Sequence, residues 1–259
     1  MAIITFLSDF GYTEHYVAAV KARLLSRKSD VTIVDISHAI QPFDIAHAVY
    51  VLSSVFRDFP EGTVHLVAVD TQGSKTNKFH AIKFQGHYFV CADNGLLSLL
   101  TESAPEEMVE IATNEDVVAP GRDVLAPAAL HLATGGSLED LGTPTANMKQ
   151  LLNRQLKLGD HQITGHVIHV DHYGNLITDI TRDSIETIGH ERSFTVSFAR
   201  EKVNRISSRF SQPPEGECVC ICNSQNFLVI GINKGNASEL LGLDFDSQVN
   251  VHFPPNSSD

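Results

Sequence analysis

The chain has 259 residues and a formal net charge of −12, from 31 acidic against 19 basic side chains. Such a surface repels phosphate backbones, so we expect no nucleic-acid binding. No apolar run approaches the ~20 residues that a membrane-spanning helix needs, and no signal-peptide pattern precedes the first predicted strand. We therefore expect a cytoplasmic protein, with no membrane-embedded part and one large or two modest domains.

The first third of the chain alternates predicted strands and helices. Three apolar runs end in aspartates, at Asp9, Asp35 and Asp70, and helical spacing of apolar residues separates them. This βαβαβ order predicts a parallel sheet, and open α/β sheets bind ligands outside the carboxyl ends of their strands. We therefore expect the three carboxylates to face one crevice, although an aspartate after a strand is also a common helix cap or turn residue.

The following residues are predicted to complete an α/β N-terminal domain, assigned to residues 1–146. Gln85-Gly86 lies between two strand-like runs and indicates a hairpin. A turn at residues 93–95 precedes a short helix, and a longer helix over residues 124–133 ends before a pair of glycines. The fold class expected for this domain is a mostly parallel sheet flanked by helices.

Composition changes after this domain. Residues 147–161 are polar with weak periodicity and are interpreted as a linker, and residues 162–259 contain short β-like runs spaced by turns. This pattern predicts a small all-β, barrel-like C-terminal domain. Cys218, Cys220 and Cys222 alternate along one predicted strand, where small buried side chains are the favoured interpretation over metal ligands.

Several polar and aromatic residues lie at predicted turns beside these strands. Asp9 can accept hydrogen bonds from both hydroxyls of a ribose, and the absence of a GxGxxG run argues against a pyrophosphate cofactor. Phe43 can stack on a ring, or pack on the following helix as a staple. Asn175, in the turn that begins at Asp171, can read a base edge or a zwitterion, or simply belong to a β-turn. The residue types favour a nucleoside without phosphates.

A divalent metal is a further alternative for the N-terminal site. Its ligands would be Asp9, Asp35, His38 and Asp70. The sequence has no close-spaced DxD, HxH or HExxH pattern at these positions, which argues against a metal.

Several short motifs resemble one known family. They are Ser8-Asp9-Phe10-Gly11, Pro42-Phe43-Asp44, Asp93-Asn94-Gly95-Leu96, Gly121-Arg122-Asp123, Asp171-His172-Tyr173-Gly174-Asn175, Asn223-Ser224 and Asn233-Lys234-Gly235. Together they resemble the S-adenosyl-L-methionine hydroxide adenosyltransferases, the hydrolase relatives of the fluorinase and chlorinase. The likeness covers nearly the whole chain in the right order.

The resemblance implies an α/β N-terminal domain, a C-terminal β-barrel and a homotrimer with active sites at subunit interfaces. It implies cleavage of S-adenosyl-L-methionine at the ribose C5′, giving adenosine and L-methionine, with no cofactor and no metal. The residues that it implies for substrate binding are Asp9, Phe10, Phe43, Asp93, Asn94, Asp171, Tyr173, Asn175, Ser224 and Asn233.

The chain departs from the family pattern at the residues that activate water. Family hydrolases polarise this water with an Asp-Arg-His set. Asp70 matches the family aspartate, where the halogenases carry tyrosine, but the arginine position holds Asn77 and the histidine position holds Pro120. Because neither asparagine nor proline has a side chain that titrates, two of the three groups have to come from elsewhere.

Two replacements are predicted. Lys75 or Lys78 can supply the positive charge, and His80 or another histidine can supply the imidazole, so the expected catalytic set is Asp70, Lys78 and His80. The alternatives are a catalytically degenerate protein that binds S-adenosyl-L-methionine or adenosine, and a metal-dependent hydrolase.

Overall fold

The protein is described by a computed structural model that covers residues 2–72, 78–101, 103–113, 117–152 and 155–255. It forms two compact units, Met1–Asn153 and Arg154–Asp259. None of the helices within these ranges combines the length and the apolar character that crossing a bilayer requires.

The N-terminal unit is built from seven strands with helices between them. In chain order these elements are β1 (Ile3–Ser8), α1 (Tyr16–Leu25), β2 (Thr32–Ser37), α2 (Ile45–Ser53), β3 (Val64–Ala68), β4 (Phe79–Phe84), β5 (His87–Ala92), α3 (Leu96–Leu100), β6 (Glu107–Ile111), α4 (Ala126–Ala133) and β7 (Gly142–Pro144). A π-helical turn at Gly121–Leu125 leads into α4, and short 3₁₀ turns occur at Phe56–Asp58 and Glu139–Leu141.

The strands form one mixed sheet with the order β2-β1-β3-β5-β4-β6-β7. The pairings β2-β1, β1-β3 and β3-β5 are parallel, and the other three are antiparallel. The α/β prediction and the parallel βαβαβ order are therefore confirmed. The antiparallel half comes from the predicted hairpin β4-β5 and from β6 and β7, which the sequence did not predict.

Helices cover both faces of the sheet. All five residues of β3 are buried, as expected for a central parallel strand with two covered faces. Leu24 of α1 packs with α4 in one apolar core, and Leu52 of α2 packs with α3 in the other. Both leucines are completely buried, so truncating either to alanine should cost about 2–5 kcal/mol of unfolding free energy.

Local signals explain where several elements begin and end. Asp44 caps α2, because its Oδ1 accepts the N–H of His47 at 2.9 Å. Gln85 and Gly86 both have positive φ, at 52° and 76°, as the tight turn of a right-twisted hairpin requires. Helix α1 follows His15 as its N-cap residue, whose side chain makes no capping hydrogen bond.

The C-terminal unit is a barrel-like antiparallel sheet. Its elements are β8 (Lys157–Gly159), β9 (Gln162–Val170), β10 (Leu176–Thr181), α5 (Arg182–Gly189), β11 (Thr195–Phe198), β12 (Glu201–Val203), β13 (Cys218–Cys222), β14 (Phe227–Ile232), α6 (Ala237–Leu241) and β15 (Gln248–His252). The strand order is β12-β11-β15-β9-β10-β14-β13, with β8 paired to β9. Because β12 lies beside β13, the sheet nearly closes on itself, and the predicted barrel-like domain is confirmed.

The interior of this barrel is a single apolar core. The thiol of Cys220 belongs to it, and burial raises the pKa of that thiol well above its ordinary range. Five elements of this unit were not predicted: β10, α5, β12, α6, and the short strand β8 inside the region interpreted as a linker. Helix α5 begins with a capping box in which Thr181 Oγ1 accepts the N–H of Ser184 and Ser184 Oγ accepts the N–H of Thr181.

Candidate active site

A cavity of about 580 Å³ opens in the N-terminal unit, beside the residues that follow β1 and β3. This volume is in the range of small-molecule sites. The cavity is lined by Asp9, Phe10, His15, Tyr16, Ala19, Val20, Pro42, Phe43, Asp70, Thr71, Gln72, Val118, Ala119, Pro120, Gly121 and Arg122. Its wall therefore combines two carboxylates with aromatic rings.

Asp9 joins the loops that surround this cavity. Its Oδ2 accepts the N–H of Phe43 at 3.0 Å and the N–H of Asp70 at 3.1 Å. One carboxylate oxygen thus ties the ends of β1 and β3 to the segment before α2. Hydrogen bonds to a charged acceptor contribute about 1.5–3 kcal/mol each, so Asp9 is a main determinant of the loop geometry.

Both donors of these bonds have left-handed backbone conformations. Phe43 has φ of 66° and Asp70 has φ of 45°, a region that is readily reached by aspartate but costly for phenylalanine. The Phe43 side chain is 73% exposed, so it is not a staple buried on α2. Its ring lines the cavity, as the interpretation of Phe43 as a stacking residue requires.

Phe10 forms an apolar part of the wall. Its ring lies edge-on to Phe6 at a centroid distance of 6.4 Å and tilted to Tyr16 at 5.8 Å. Gly121 allows the opposite segment to approach, because a Cβ built there would lie 3.2 Å from the Phe10 ring and 3.4 Å from Ala68. A larger residue at this position would force the two walls apart.

Asp93 and Asn94 were predicted to bind substrate, and neither lines the cavity. Asn94 is 2% exposed and supports the turn at Asp70 from inside the protein, because its Nδ2 donates to the carbonyls of Val69 at 2.9 Å and Asp70 at 3.4 Å. Asp93 Oδ1 accepts the N–H of Lys149 at 2.7 Å. The structure gives both residues supporting positions.

The prediction that three aspartates share one crevice is right for Asp9 and Asp70 and wrong for Asp35. Strand β2 continues to Ser37, so Asp35 lies within the strand and not at its end. Its Oδ2 accepts a hydrogen bond from Lys21 Nζ at 2.5 Å. Burial alone raises the pKa of Asp35, but Lys21 and His38 lower it more, so this carboxylate is held charged.

His38 is buried behind the cavity and connects β2 to the end of β1. Its Nδ1 lies 2.7 Å from Ser8 Oγ, its carbonyl accepts the N–H of Gly11 at 2.8 Å, and its Nε2 lies 3.2 Å from Asp35 Oδ1, out of line for a hydrogen bond. Burial lowers the pKa of His38 despite Asp35, which keeps the ring neutral at pH 7. His38 thus supports the loop that carries Asp9.

The structure does not assemble the four proposed metal ligands. Asp35 and His38 contact each other, whereas Asp9 and Asp70 line the cavity. Within the described ranges, no group of three or more histidine, cysteine, aspartate or glutamate side chains is arranged to hold a metal ion.

The predicted catalytic residues Lys78 and His80 also lie away from the cavity lining. Lys78 Nζ pairs with Glu110 at 2.7 Å. His80 is completely buried in β4, with Nδ1 3.7 Å from Asp93 Oδ1, and burial lowers its pKa. His80 is thus closed off from the cavity by its burial in the strand, and the cavity lining gives no support to the prediction of either residue as catalytic. Lys75 and Asn77 lie outside the described residues.

Three titratable residues that were not predicted as site residues also line the cavity. They are His15, the N-cap residue of α1, the adjacent Tyr16, and Arg122, which belongs to the family-like motif Gly121-Arg122-Asp123. Arg122 makes a bidentate pair with Asp123 at 2.9 and 2.8 Å, which raises the pKa of the guanidinium and lowers that of the carboxyl. The sequence signal for His15 was its position directly after the loop that follows the first predicted strand.

In the C-terminal unit, the predicted binding turn is held by Asp171. Its Oδ1 accepts the N–H groups of Tyr173 and Asn175, both at 2.9 Å, and its Oδ2 accepts Asn175 Nδ2 at 2.9 Å. Gly174 has φ of 79°, and a Cβ there would lie 1.9 Å from Asn236 Oδ1. This arrangement leaves the Tyr173 side chain 77% exposed and Asn175 buried.

The other two predicted binding residues of this unit have structural contacts. Ser224 Oγ accepts a hydrogen bond from Gln225 Nε2 at 3.1 Å. Asn233 is 8% exposed, and its Nδ2 donates to the carbonyl of Pro213 at 2.8 Å. Asn233 therefore fixes the segment that precedes β13.

Comparisons with known proteins agree with this architecture. Residues 4–142 match the model of the SAM hydroxide adenosyltransferase N-terminal domain, and residues 165–250 match that of the C-terminal domain. A solved structure of an uncharacterized conserved protein from Thermotoga maritima superposes with a TM-score of 0.88 at 30% identity, covering 96% of this chain and 99% of that one.

Named relatives belong to two kinds of protein. The chain is 30% identical to an (R)-S-adenosyl-L-methionine hydrolase from Methanocaldococcus jannaschii, over 97% of this chain and 96% of the relative. It is 33% identical to a protein of the same name from Thermus thermophilus, over 94% and 96%. A fluorinase from Nocardia brasiliensis is 30% identical over 72% of this chain and 74% of its own. The chain belongs to the SAM hydroxide adenosyltransferase family.

Proposed function

We propose that the protein hydrolyses S-adenosyl-L-methionine at the ribose C5′ to adenosine and L-methionine, with Asp70 acting on the attacking water. The observation that carries this proposal is the pairing of Asp9 and Asp70 in one cavity, joined by the hydrogen bond from the Asp70 N–H to Asp9 Oδ2. Hydrolysis is also the activity in the names of two relatives that align over nearly the whole chain.

Only the nucleophile of this reaction requires activation by the protein. The sulfonium of the substrate is an activated leaving group, since cleavage of the C5′–S bond returns the electron pair to sulfur and yields a neutral thioether. Bulk water, with a pKa of about 15.7, is a poor nucleophile. A carboxylate at position 70 would accept a hydrogen bond from this water and align it for in-line attack on C5′.

Asp9 is proposed to hold the ribose hydroxyls, with Phe10 and Phe43 as apolar surfaces for the ligand. Tyr173 and Asn175 are proposed to meet the adenine. The amine and carboxylate of the methionine part are assigned to Asp171 and Ser224, and Asn233 completes the proposed binding set. The homotrimer, with its active sites at subunit interfaces, and the cytoplasmic location likewise remain proposals from the sequence.

The test is product formation by protein stripped of ligand, in the presence of EDTA. S-adenosyl-L-methionine is added, adenosine and methionine are quantified by chromatography, and Asp70→Asn is the matched variant. Asparagine tolerates the left-handed backbone and keeps the N–H that Asp9 accepts. We expect turnover to fall about 10²–10⁴-fold while calorimetric binding is retained. Unchanged turnover would exclude Asp70 from the chemistry.

A binding protein without turnover is the second candidate, because Pro120 lines the cavity where the family pattern has a histidine. Binding of S-adenosyl-L-methionine without release of adenosine would support it. Product that appears only after EDTA is replaced by one divalent ion would instead support the metal-dependent alternative.

A further inference from the structure

The histidines of the N-terminal unit differ in what their rings contact. Six of its seven histidines are either hydrogen-bonded or buried beside a carboxylate: His38 bonds to Ser8, His47 to the Gln41 N–H, His65 to Thr5 and His87, and His131 to the Ser137 carbonyl, while His80 makes no ring hydrogen bond and lies buried 3.7 Å from Asp93. His15 is the exception among the described residues. Its ring contacts that of Tyr16, at a centroid distance of 4.6 Å.

His15 is also the one histidine that lines the cavity within the described ranges. It is exposed, and its side chain takes no part in capping α1, although its carbonyl accepts the N–H of Ala19 at 2.9 Å. Neither helix formation nor the apolar core therefore requires an imidazole here. The charged and titratable groups that share the cavity with it are Asp9, Tyr16, Asp70 and Arg122.

We propose that His15 accepts the proton of the attacking water, an inference that rests on the proposed hydrolysis. The water oxygen bonds to C5′ as the C5′–S bond breaks, and the sulfur keeps the electron pair. One water proton passes to His15, which releases it to solvent, and the other stays on the new 5′-hydroxyl of adenosine. Asp70 holds the water during this step, so His15 supplies the imidazole that Pro120 cannot.

The test compares His15→Ala with His131→Ala, which removes a histidine of the same unit outside the cavity lining. Adenosine formation is measured with and without added imidazole. We expect His15→Ala to lose about 10²-fold in kcat with little change in KM, and imidazole to restore part of the lost kcat. His131→Ala should retain wild-type kcat and show no response to imidazole.

A second variant, His15→Gln, retains polar atoms but cannot accept a proton at neutral pH, and it should be as slow as His15→Ala. Wild-type kcat in either variant would overturn the inference while leaving hydrolysis intact. A rise in KM without imidazole rescue would also overturn it, because it would assign His15 to binding. A wild-type protein that forms no adenosine would overturn the proposed function, and this inference with it.

Discussion

Asp9 and Asp171 each follow a strand and each accept two backbone N–H groups, but their partners lie at very different distances along the chain. The donors to Asp9 are 34 and 61 positions away, at Phe43 and Asp70. The donors to Asp171 are two and four positions away, at Tyr173 and Asn175. The N-terminal site is therefore assembled by the tertiary fold, whereas the C-terminal turn is organised by local sequence.

Among the substitutions that test this comparison, Asp9→Ala should have the largest effect. Loss of two charge-assisted hydrogen bonds should lower the free energy of unfolding by about 3 kcal/mol. Hydrogen exchange should also accelerate at the amides of Phe43 and Asp70, far away in sequence. Chemical denaturation and amide exchange measure the two effects.

The matched variant is Asp171→Ala, in which faster exchange should be confined to the turn that contains Tyr173 and Asn175. If the Phe43 and Asp70 amides stay as protected in Asp9→Ala as in the wild type, the carboxylate does not hold the loops together.

Acid should weaken the N-terminal unit in particular, because the four buried histidines among the described residues belong to it. Burial lowers the pKa of His65 to about 3. Below its ordinary pKa of 6.5, the unfolded chain binds a proton that the folded protein excludes, so stability is lost as the pH falls from about 6.5 towards 3. Between pH 7 and pH 5 this contributes about 2 kcal/mol of destabilisation.

Urea unfolding of the wild type and His65→Gln at both pH values isolates this contribution. The variant should lose less stability between pH 7 and pH 5 than the wild type. An identical pH dependence in the two proteins would show that His65 is not excluded from protonation by the fold.

The smallest effect concerns backbone strain at Phe43. Phe43→Gly should be more stable than Phe43→Ala by about 1 kcal/mol, since glycine reaches a φ of 66° without steric cost, and both variants retain the N–H that Asp9 accepts. Thermal unfolding compares the two variants.

In the C-terminal turn, Tyr173→Ala should leave stability nearly unchanged, because that side chain is 77% exposed.

Much of the fold could be predicted because its signals are local. The apolar run before Asp70, the Gln85-Gly86 turn and the short runs of the C-terminal unit each appear in a few consecutive residues. Strand β6 and helix α5 were missed. The residues of β6 are interrupted by glutamates, and α5 has only two buried residues, so neither has a long apolar pattern.

The site was predicted only in part, for a different reason. Asp9 and Asp70 follow predicted strands, so the topology rule places them at the cavity, whereas Phe43 was expected there from its place in a polar loop and Phe10 from the family resemblance. The prediction that Asp35 faces the same crevice was wrong because the strand continues for two residues beyond it.

Other assignments needed three-dimensional information. The positions of Lys78 and His80 near Asp70 in sequence say nothing of their separation from the cavity. His15 reaches the cavity because helix α1 begins beside the loop after β1, and only the packed structure reveals that proximity.

The hydrogen bond between Asp70 and Asp9 has a consequence for how such a site can evolve. The donor is the main-chain N–H of residue 70, and every amino acid except proline carries that group. A substitution at position 70 can therefore change the side chain that lines the cavity while the loop stays in place. The side chain at position 70 can thus vary without rebuilding the hydrogen-bonded frame that holds the loop.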